Sequence, residues 1–321
     1  MTRHSIAILL LALAPLISPA AAEPVAVAHP DAIILLDLVR EGASLIAVGE
    51  RGTVLRSDDD GGTWSAAMPA TTRTLTALAF GRDGTGVAVG HGGTLLRTAD
   101  DGRTWQAVEV PAAGRDSLLG VVALGDGRFI AHGAFGLFLL SDDAGRTWTR
   151  HTILGDEFDR HIYKIVARSP RDLLLVGESG TLAVSADGGA TWRMRTPPYA
   201  GSFFGAIVAR DGAALIFGMR GHVYRSTAPD GEWSAVPVDT NTAFNNGLTL
   251  ADGRLILAGN NGVAAISDDD GKTFRAVKAA RGANLAQIAE ARSGTLIAGG
   301  DAGILRLDMP TAENKDSRHG R

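Results

Sequence analysis

One short phrase, closing on an aromatic residue, returns six times along the chain. It first reads Ser57-Asp-Asp59-Asp-Gly61-Gly-Thr63-Trp64, and then Thr98-x-Asp100-x-Gly102-x-Thr104-Trp105. Ser141-x-Asp143-x-Gly145-x-Thr147-Trp148, Ser185-x-Asp187-x-Gly189-x-Thr191-Trp192 and Ser267-x-Asp269-x-Gly271-x-Thr273-Phe274 keep the pattern. Ser226-Thr-Ala-Pro-Asp230-Gly231-Glu-Trp233 is a degenerate copy. The closing aromatics stand 41, 43, 44, 41 and 41 residues apart. A period of this size means one supersecondary unit copied many times. The chain is therefore an array, and the functional question becomes what such an array binds.

A second marker rides on the same unit. Ahead of each phrase a Gly-x-x-Gly turn separates two apolar runs, first as Leu45–Val48, Gly49-Glu-Arg-Gly52 and Thr53–Arg56. The turn recurs at Gly90/Gly93, Gly133/Gly136, Gly177/Gly180, Gly218/Gly221, Gly259/Gly262 and Gly300/Gly303, and only the last lacks the aspartate phrase after it. Each unit reads as four short strands. In the second copy these are Thr76–Phe80, Gly86–Val89, Thr94–Thr98 and Thr104–Val110, with turns at Asp83-Gly84, at Gly90–Gly93 and at the phrase itself. Short apolar runs bounded by Gly and Asp are hairpin grammar, and no helical period lasts long enough to compete. Four-stranded units of this length, repeated seven times, predict an all-β, seven-bladed β-propeller over residues 23–309. In the phrase, Ser/Thr and Asp side chains are expected to bond backbone N–H groups across the turn, and the aromatic to wedge against neighbouring strands. Asp59, Trp64, Asp100, Trp105, Asp143, Trp148, Asp187, Trp192, Trp233, Asp269 and Phe274 are thus assigned structural roles.

The seventh unit stops after its third run, Ile304–Leu307. The segment Pro24–His29, similar in pattern to Gln106–Val110, is expected to pair with that run and close the ring, shielding its edge. Residues 1–22 read as a secretory signal peptide: Arg3 and His4 precede the apolar run Ile6–Ile17, and Ala20-Ala-Ala22 offers a small-residue cleavage site. Export to the periplasm with cleavage after Ala22 is the expectation, and the polar segment 310–321 reads as a disordered tail. The chain has no cysteine, which removes disulfides, thiolate metal sites and cysteine nucleophiles. Without Arg3 it carries 30 basic against 35 acidic residues, not the balance of a nucleic-acid-binding protein.

The phrase is the aspartate-box, or bacterial neuraminidase, repeat. In the arrangement Val87-Ala-Val-Gly90-His-Gly-Gly-Thr-Leu-Leu-Arg97-Thr-Ala-Asp-Asp-Gly-Arg-Thr-Trp105 the chain resembles the photosystem II stability and assembly factor family, over about residues 24–309. That resemblance implies a propeller acting as an assembly chaperone, with an arginine-rich face for a membrane-protein precursor. Relatives in non-photosynthetic bacteria are exported, and some accompany transporters of the resistance-nodulation-division class. The implied partner is an exported segment of a membrane-protein complex, photosystem-like or transporter-associated, bound by a monomer without a cofactor.

Two chemical readings compete with binding. The box aspartates offer oxygens to calcium, but each box supplies few, whereas calcium takes 6–8. Sialidases of this repeat class use a tyrosine nucleophile paired with glutamate, beside three arginines and an acid. The chain has Tyr163, Tyr199 and Tyr224 but no Arg-Ile-Pro element near its start, and its units are too equal in length to carry long active-site loops. A glycosidase or carbohydrate-binding propeller remains the alternative. In an up-and-down blade the Gly-x-x-Gly turns share one face with the links between blades, and the boxes lie on the other. The turn face then presents Arg51, Arg73, His91, Arg115, Phe135, Arg160, His161, Arg220, Asn245, Asn260 and Arg281, types enriched at binding hot spots. Phe203 and Phe244, aligned with Leu75 and Leu118, read as first-strand core.

Overall fold

Each repeat unit forms one antiparallel sheet with its strands side by side in chain order. The second blade is Leu75–Phe80, Gly86–Gly90, Leu95–Thr98 and Gln106–Ala107. The computed structural model describes residues 25–307 apart from 69 and 229, so the leader at 1–22 and the tail at 310–321 lie outside the described residues. It contains seven such sheets, and the seventh has three strands, Leu285–Glu290, Leu296–Gly300 and Gly303–Leu307. Second strands are buried along their whole length, as in Ser44–Gly49, except at Arg128 in the third blade. A strand clamped between two neighbouring sheets has no polar face, which is why these runs read as continuously apolar rather than alternating.

The core is divided among the blade interfaces. Val87, Val89 and Leu95 of the second blade meet Leu118, Phe129 and Ala131 of the third. Leu45, Ala47 and Leu55 of the first blade meet Ala289 and Ile297 of the seventh in the same way, so the ring is closed. Every box aromatic enters the interface with the blade before its own: Trp64 between the seventh and first blades, Trp105, Trp148, Trp192 and Trp233 at the next four, and Phe274 between the fifth and sixth. The boxless seventh blade meets the sixth through aliphatic residues, Leu250, Ile256, Ile288 and Leu307 among them.

The box turns are self-contained hydrogen-bond knots. In the first, Ser57 Oγ donates to Asp59 Oδ1 at 2.8 Å and accepts from Gly61 N at 2.9 Å. Thr63 donates its N–H to Asp59 Oδ1 at 2.8 Å and its hydroxyl to Oδ2 at 2.7 Å. The same four bonds recur around Asp100, Asp143, Asp187 and Asp269. In the degenerate fifth copy Ser226 Oγ turns instead to Ala228 O at 2.6 Å. Trp105, Trp148 and Trp192 each donate Nε1 to the box glycine carbonyl at 3.1 Å.

The knot also presents a carbonyl to the preceding blade. Asp60, Asp101, Ala144, Gly188 and Asp270 all adopt positive φ, which turns their carbonyls outward. Arg97 Nε donates to Ala144 O at 2.6 Å, Arg128 Nη2 to Gly188 O at 3.0 Å, and Arg225 Nε to Asp270 O at 2.9 Å. Arg56 reaches Asp101 O likewise, Arg195 reaches Asp230 O in the degenerate box, and Arg306 Nη2 reaches Asp60 O at 3.2 Å across the closing junction. Six of the seven interfaces therefore carry an arginine latch, and the one without it is the one whose following blade has no box.

The two glycines of each turn answer two close approaches. A Cβ on Gly49 would lie 2.0 Å from Ile34 O, at the entry to its own blade, and one on Gly52 would lie 2.0 Å from Thr71 O, in the link to the next. At Gly303 the corresponding neighbour is Pro30 O, 2.2 Å away, so residues 30–31 stand where a link would stand at the closing junction.

That arrangement corrects the expected closure. Val25–Ala26 does not pair with Gly303–Leu307; it pairs with Ser65–Ala66 as a fifth, outermost strand of the first blade. Val27 continues this edge by donating its N–H to Trp64 O at 2.9 Å. The side chains of Val27 and Ile33 still pack with Ile304 in the interface of the first and seventh blades. The first blade's two-residue outer strand leaves an edge free to take the N-terminal segment, and closure rests on packing and on the Arg306 latch rather than on strand exchange.

Two consequences are measurable. Trp105, only 7 % exposed, fills an interface, so Trp105→Ala should cost roughly 3–5 kcal/mol in chemical denaturation, whereas deleting residues 25–27 should cost about 1–2 kcal/mol. The second concerns pH. Bonds from Thr63 and Ser57 lower the Asp59 pKa to about 2, and those from Thr191 and Ser185 do the same for Asp187. At Asp143 burial opposes the shift, but bonds from Thr147 and Ser141 outweigh it, again to about 2. Buried His132, whose Nδ1 donates to Ile162 O at 3.0 Å, is held by desolvation at about 4 instead of 6.5. Both kinds of group bind protons more readily unfolded, so stability falls as pH falls. His132 should remove up to roughly 3 kcal/mol between its unfolded and folded pKa values, and the box aspartates should act below about pH 4. Urea midpoints across pH for the protein and for His132→Gln and Asp59→Asn variants separate the two stages; a midpoint flat from pH 7 to pH 3 would contradict both.

Candidate protein-binding face

The Gly-x-x-Gly turns and the inter-blade links share one face, tied by backbone bonds: Gly93 N to Asp116 O at 2.7 Å, Gly136 N to Arg160 O at 2.9 Å, and Gly180 N to Gly201 O at 3.0 Å. In six blades the turn is a three-residue 3-10 element whose central residue has positive φ: Arg51, Gly92, Phe135, Ser179, Arg220 and Asn261. This conformation lifts the central side chain off the blade toward solvent. Arg51, Phe135 and Arg220 are exposed there, as are Arg73, Arg115, Arg160 and Arg281 in the links.

Ion pairing separates the arginines of the ring into two groups. Arg56, Arg103, Arg128, Arg225, Arg254 and Arg292 all form ion pairs with aspartates. Arg51, Arg73, Arg115, Arg160, Arg220 and Arg281 form none among the described residues. Arg160 donates to Ser179 O at 3.2 Å, and the Arg73 guanidinium lies over Gly92. Acids on the face are occupied by backbone amides: Glu50 accepts from Ile34 N, Glu178 from His161 N at 3.0 Å, and Asp301 from Asn284 N at 2.8 Å. The six arginines stand exposed beside these acids and beside the exposed link acids Glu157, Asp159 and Asp239.

His91 Nδ1 lies 2.9 Å from Ser117 Oγ, and Asn245 Nδ2 donates to Asn260 Oδ1 at 2.8 Å and to Leu285 O at 3.0 Å. These three hold neighbouring segments together rather than standing free. His161 packs edge-on against Phe135 at 5.0 Å and lies 3.6 Å from Glu178. Phe203 and Phe244 are fully buried, as first-strand core.

The central channel was not legible as a site from the turns alone. Every first strand carries a register shift just after its first core residue, between Leu35 and Asp37, Leu75 and Ala77, and so on round the ring. The extra residues are Leu36, Thr76, Leu119, Tyr163, Phe204, Asn245 and Ala286, and all seven line a cavity of about 270 Å³ at the mouth of the channel. Asp37 and Gln287 meet across the closing junction at 2.7 Å, and Asp37 also accepts from Leu78 N at 2.8 Å. Lys164 reaches into the same space and forms no ion pair among the described residues. Burial and the Glu178 carboxylate raise the Tyr163 pKa. The positions one and two after each aligned core residue were the signal that could have revealed this ring, since a bulge re-aims a side chain.

Comparisons with known proteins agree on the fold. A structure described as YCF48 bound to D1 peptide superposes with a TM-score of 0.69 at 21% identity, covering 92% of this chain and 100% of that one. YCF48 from Cyanidioschyzon merolae gives 0.71 at 18% identity, covering 90% and 99%. A streptogramin B lyase gives 0.74 at 14% identity, covering 90% and 97%, so likeness at this level shows the propeller and not the activity. No curated protein sequence matches the chain. The family described as Photosynthesis system II assembly factor YCF48 matches residues 67–246. The chain belongs to that assembly-factor family.

Proposed function

We propose that this chain is an exported, non-enzymatic assembly or stability factor that holds a segment of a membrane-protein complex on its Gly-x-x-Gly face. The observation that carries the reading is the gathering on that face of six exposed arginines, Arg51, Arg73, Arg115, Arg160, Arg220 and Arg281, without carboxylate partners among the described residues. A guanidinium's planar fork matches a carboxylate, whether an acidic side chain or a chain terminus, and stays charged at any working pH. Family membership supports an assembly role, and the solved relative described as bound to D1 peptide supports a protein segment as the occupant. The leader read in residues 1–22 supports export, with cleavage after Ala22 and residence in the periplasm.

The glycosidase reading has less support. A tyrosine nucleophile needs its phenol activated, whereas burial and then Glu178 push the Tyr163 pKa up and keep the proton in place.

Affinity capture from envelope extract, comparing the protein with an Arg51→Glu, Arg73→Glu, Arg220→Glu and Arg281→Glu variant, tests the reading. All four side chains are exposed, so the variant should keep its melting temperature within a few degrees while losing the captured membrane protein. Equal capture by both, together with turnover of a sialoside, would overturn the proposal in favour of an enzyme. N-terminal sequencing of the exported form should begin at Glu23; a start at Met1 in the membrane fraction would overturn the export reading.

A further inference from the structure

Phe135 sits in a position that works against the stability of the free protein in two ways. It is the central residue of the third blade's turn, with φ 53° and ψ 42°, the left-handed region that a bulky side chain avoids because its Cβ crowds the following carbonyl. The equivalent turns place Arg51, Gly92, Ser179, Arg220 and Asn261 there. Phe135 is also 58 % exposed, whereas the other nine phenylalanines of the chain are buried or half-buried. An exposed aromatic in a disfavoured backbone conformation has no reason in the fold, and strain of this kind collects at binding sites.

The surroundings supply that reason. Phe135 meets the His161 ring edge-on at 5.0 Å, His161 meets Tyr163 at 6.1 Å, and Tyr163 meets Phe204 at 5.5 Å. These contacts make a continuous aromatic track from the rim of the third blade to the channel mouth at the fifth, since Tyr163 and Phe204 are bulge residues lining that mouth. Arg160, with no carboxylate partner, stands at its edge beside His161.

Resting on the protein-binding reading above, we infer that the track is the apolar subsite of the face: it takes an aromatic or branched aliphatic side chain of an extended peptide whose neighbouring acidic group is held by Arg160 and the other rim arginines. Charge complementarity selects a peptide with an acidic group, and the run of ring edges and faces gives its apolar side chain a surface to cover. The subsite would make the face discriminate among acidic segments, which charge alone cannot do.

Four short fluorescein-labelled peptides test this by anisotropy. They share one extended sequence and carry Phe or Ser at one position and Asp or Asn two residues away. The protein should prefer Phe over Ser by about tenfold or more, the usual range for an apolar side chain entering a pocket. Phe135→Asn should abolish that preference, retain the preference for Asp over Asn, and melt no lower than the parent, because Asn accepts the left-handed conformation more readily. A Phe preference that survives in Phe135→Asn, or a melting temperature that drops by several degrees, would overturn the subsite. An Asp preference with no Phe preference in the parent would overturn the subsite alone and leave the arginine face intact. Failure to bind any of the four peptides, or binding of sialyllactose that Phe135→Asn removes, would overturn both readings.

Discussion

The ring depends on one local device: a box turn whose carboxylate satisfies its own backbone while its left-handed residue turns a carbonyl toward the preceding blade. The Asp59 carboxylate accepts from Ser57 and twice from Thr63, so the donors of the turn are met within the turn itself. The arginine that reaches the exposed carbonyl then ties one sheet to the next, and the box aromatic fills the space beneath. Blades of this size bury too little surface to stand alone, and stability is shared between units and their neighbours. The latch and the aromatic together fix the angle at which neighbours meet. Where the seventh blade lacks a box, aliphatic packing around Leu296 and Leu307 takes over.

The two faces consequently have different work. On the box face, arginines such as Arg97 and Arg128 bond carbonyls and aspartates that hold the ring. On the turn face Glu50, Glu178 and Asp301 accept from backbone amides. Arg220 is exposed, at a position that its left-handed turn projects into solvent, and forms no ion pair among the described residues. The turn residues vary from blade to blade while the repeat persists, and Phe135 and Arg51 occupy equivalent places in different blades.

Much of this was readable in the sequence because the repeat is punctuated by residues with a physical duty. Glycine pairs mark backbone approaches of the kind found at Gly49 and Gly52, and Ser-x-Asp-x-Gly-x-Thr spells out the donors and acceptors of the knot. The N-terminal segment was misplaced because Val25-Ala-Val27 matches the outer-strand pattern equally well on either side of the closing junction. Pattern gives a strand its type but not its partner, and the free edge beside Ser65–Ala66 decided it. The channel ring was hidden for another reason. A bulge shifts the alternation by one residue, so Tyr163 and Lys164 both reach a channel that simple two-residue periodicity would open to only one of them.

The division of labour between the faces can be measured by hydrogen–deuterium exchange on the protein alone and with its captured membrane-protein segment. Amide protection gained at residues 50–52, 134–136, 160–164 and 219–221, with the box amides of residues 59–63, 100–104 and 143–147 unchanged, is the expected result. Protection gained at the boxes, with the turn face unaffected, would contradict the assignment of binding to the turns and of ring closure to the boxes.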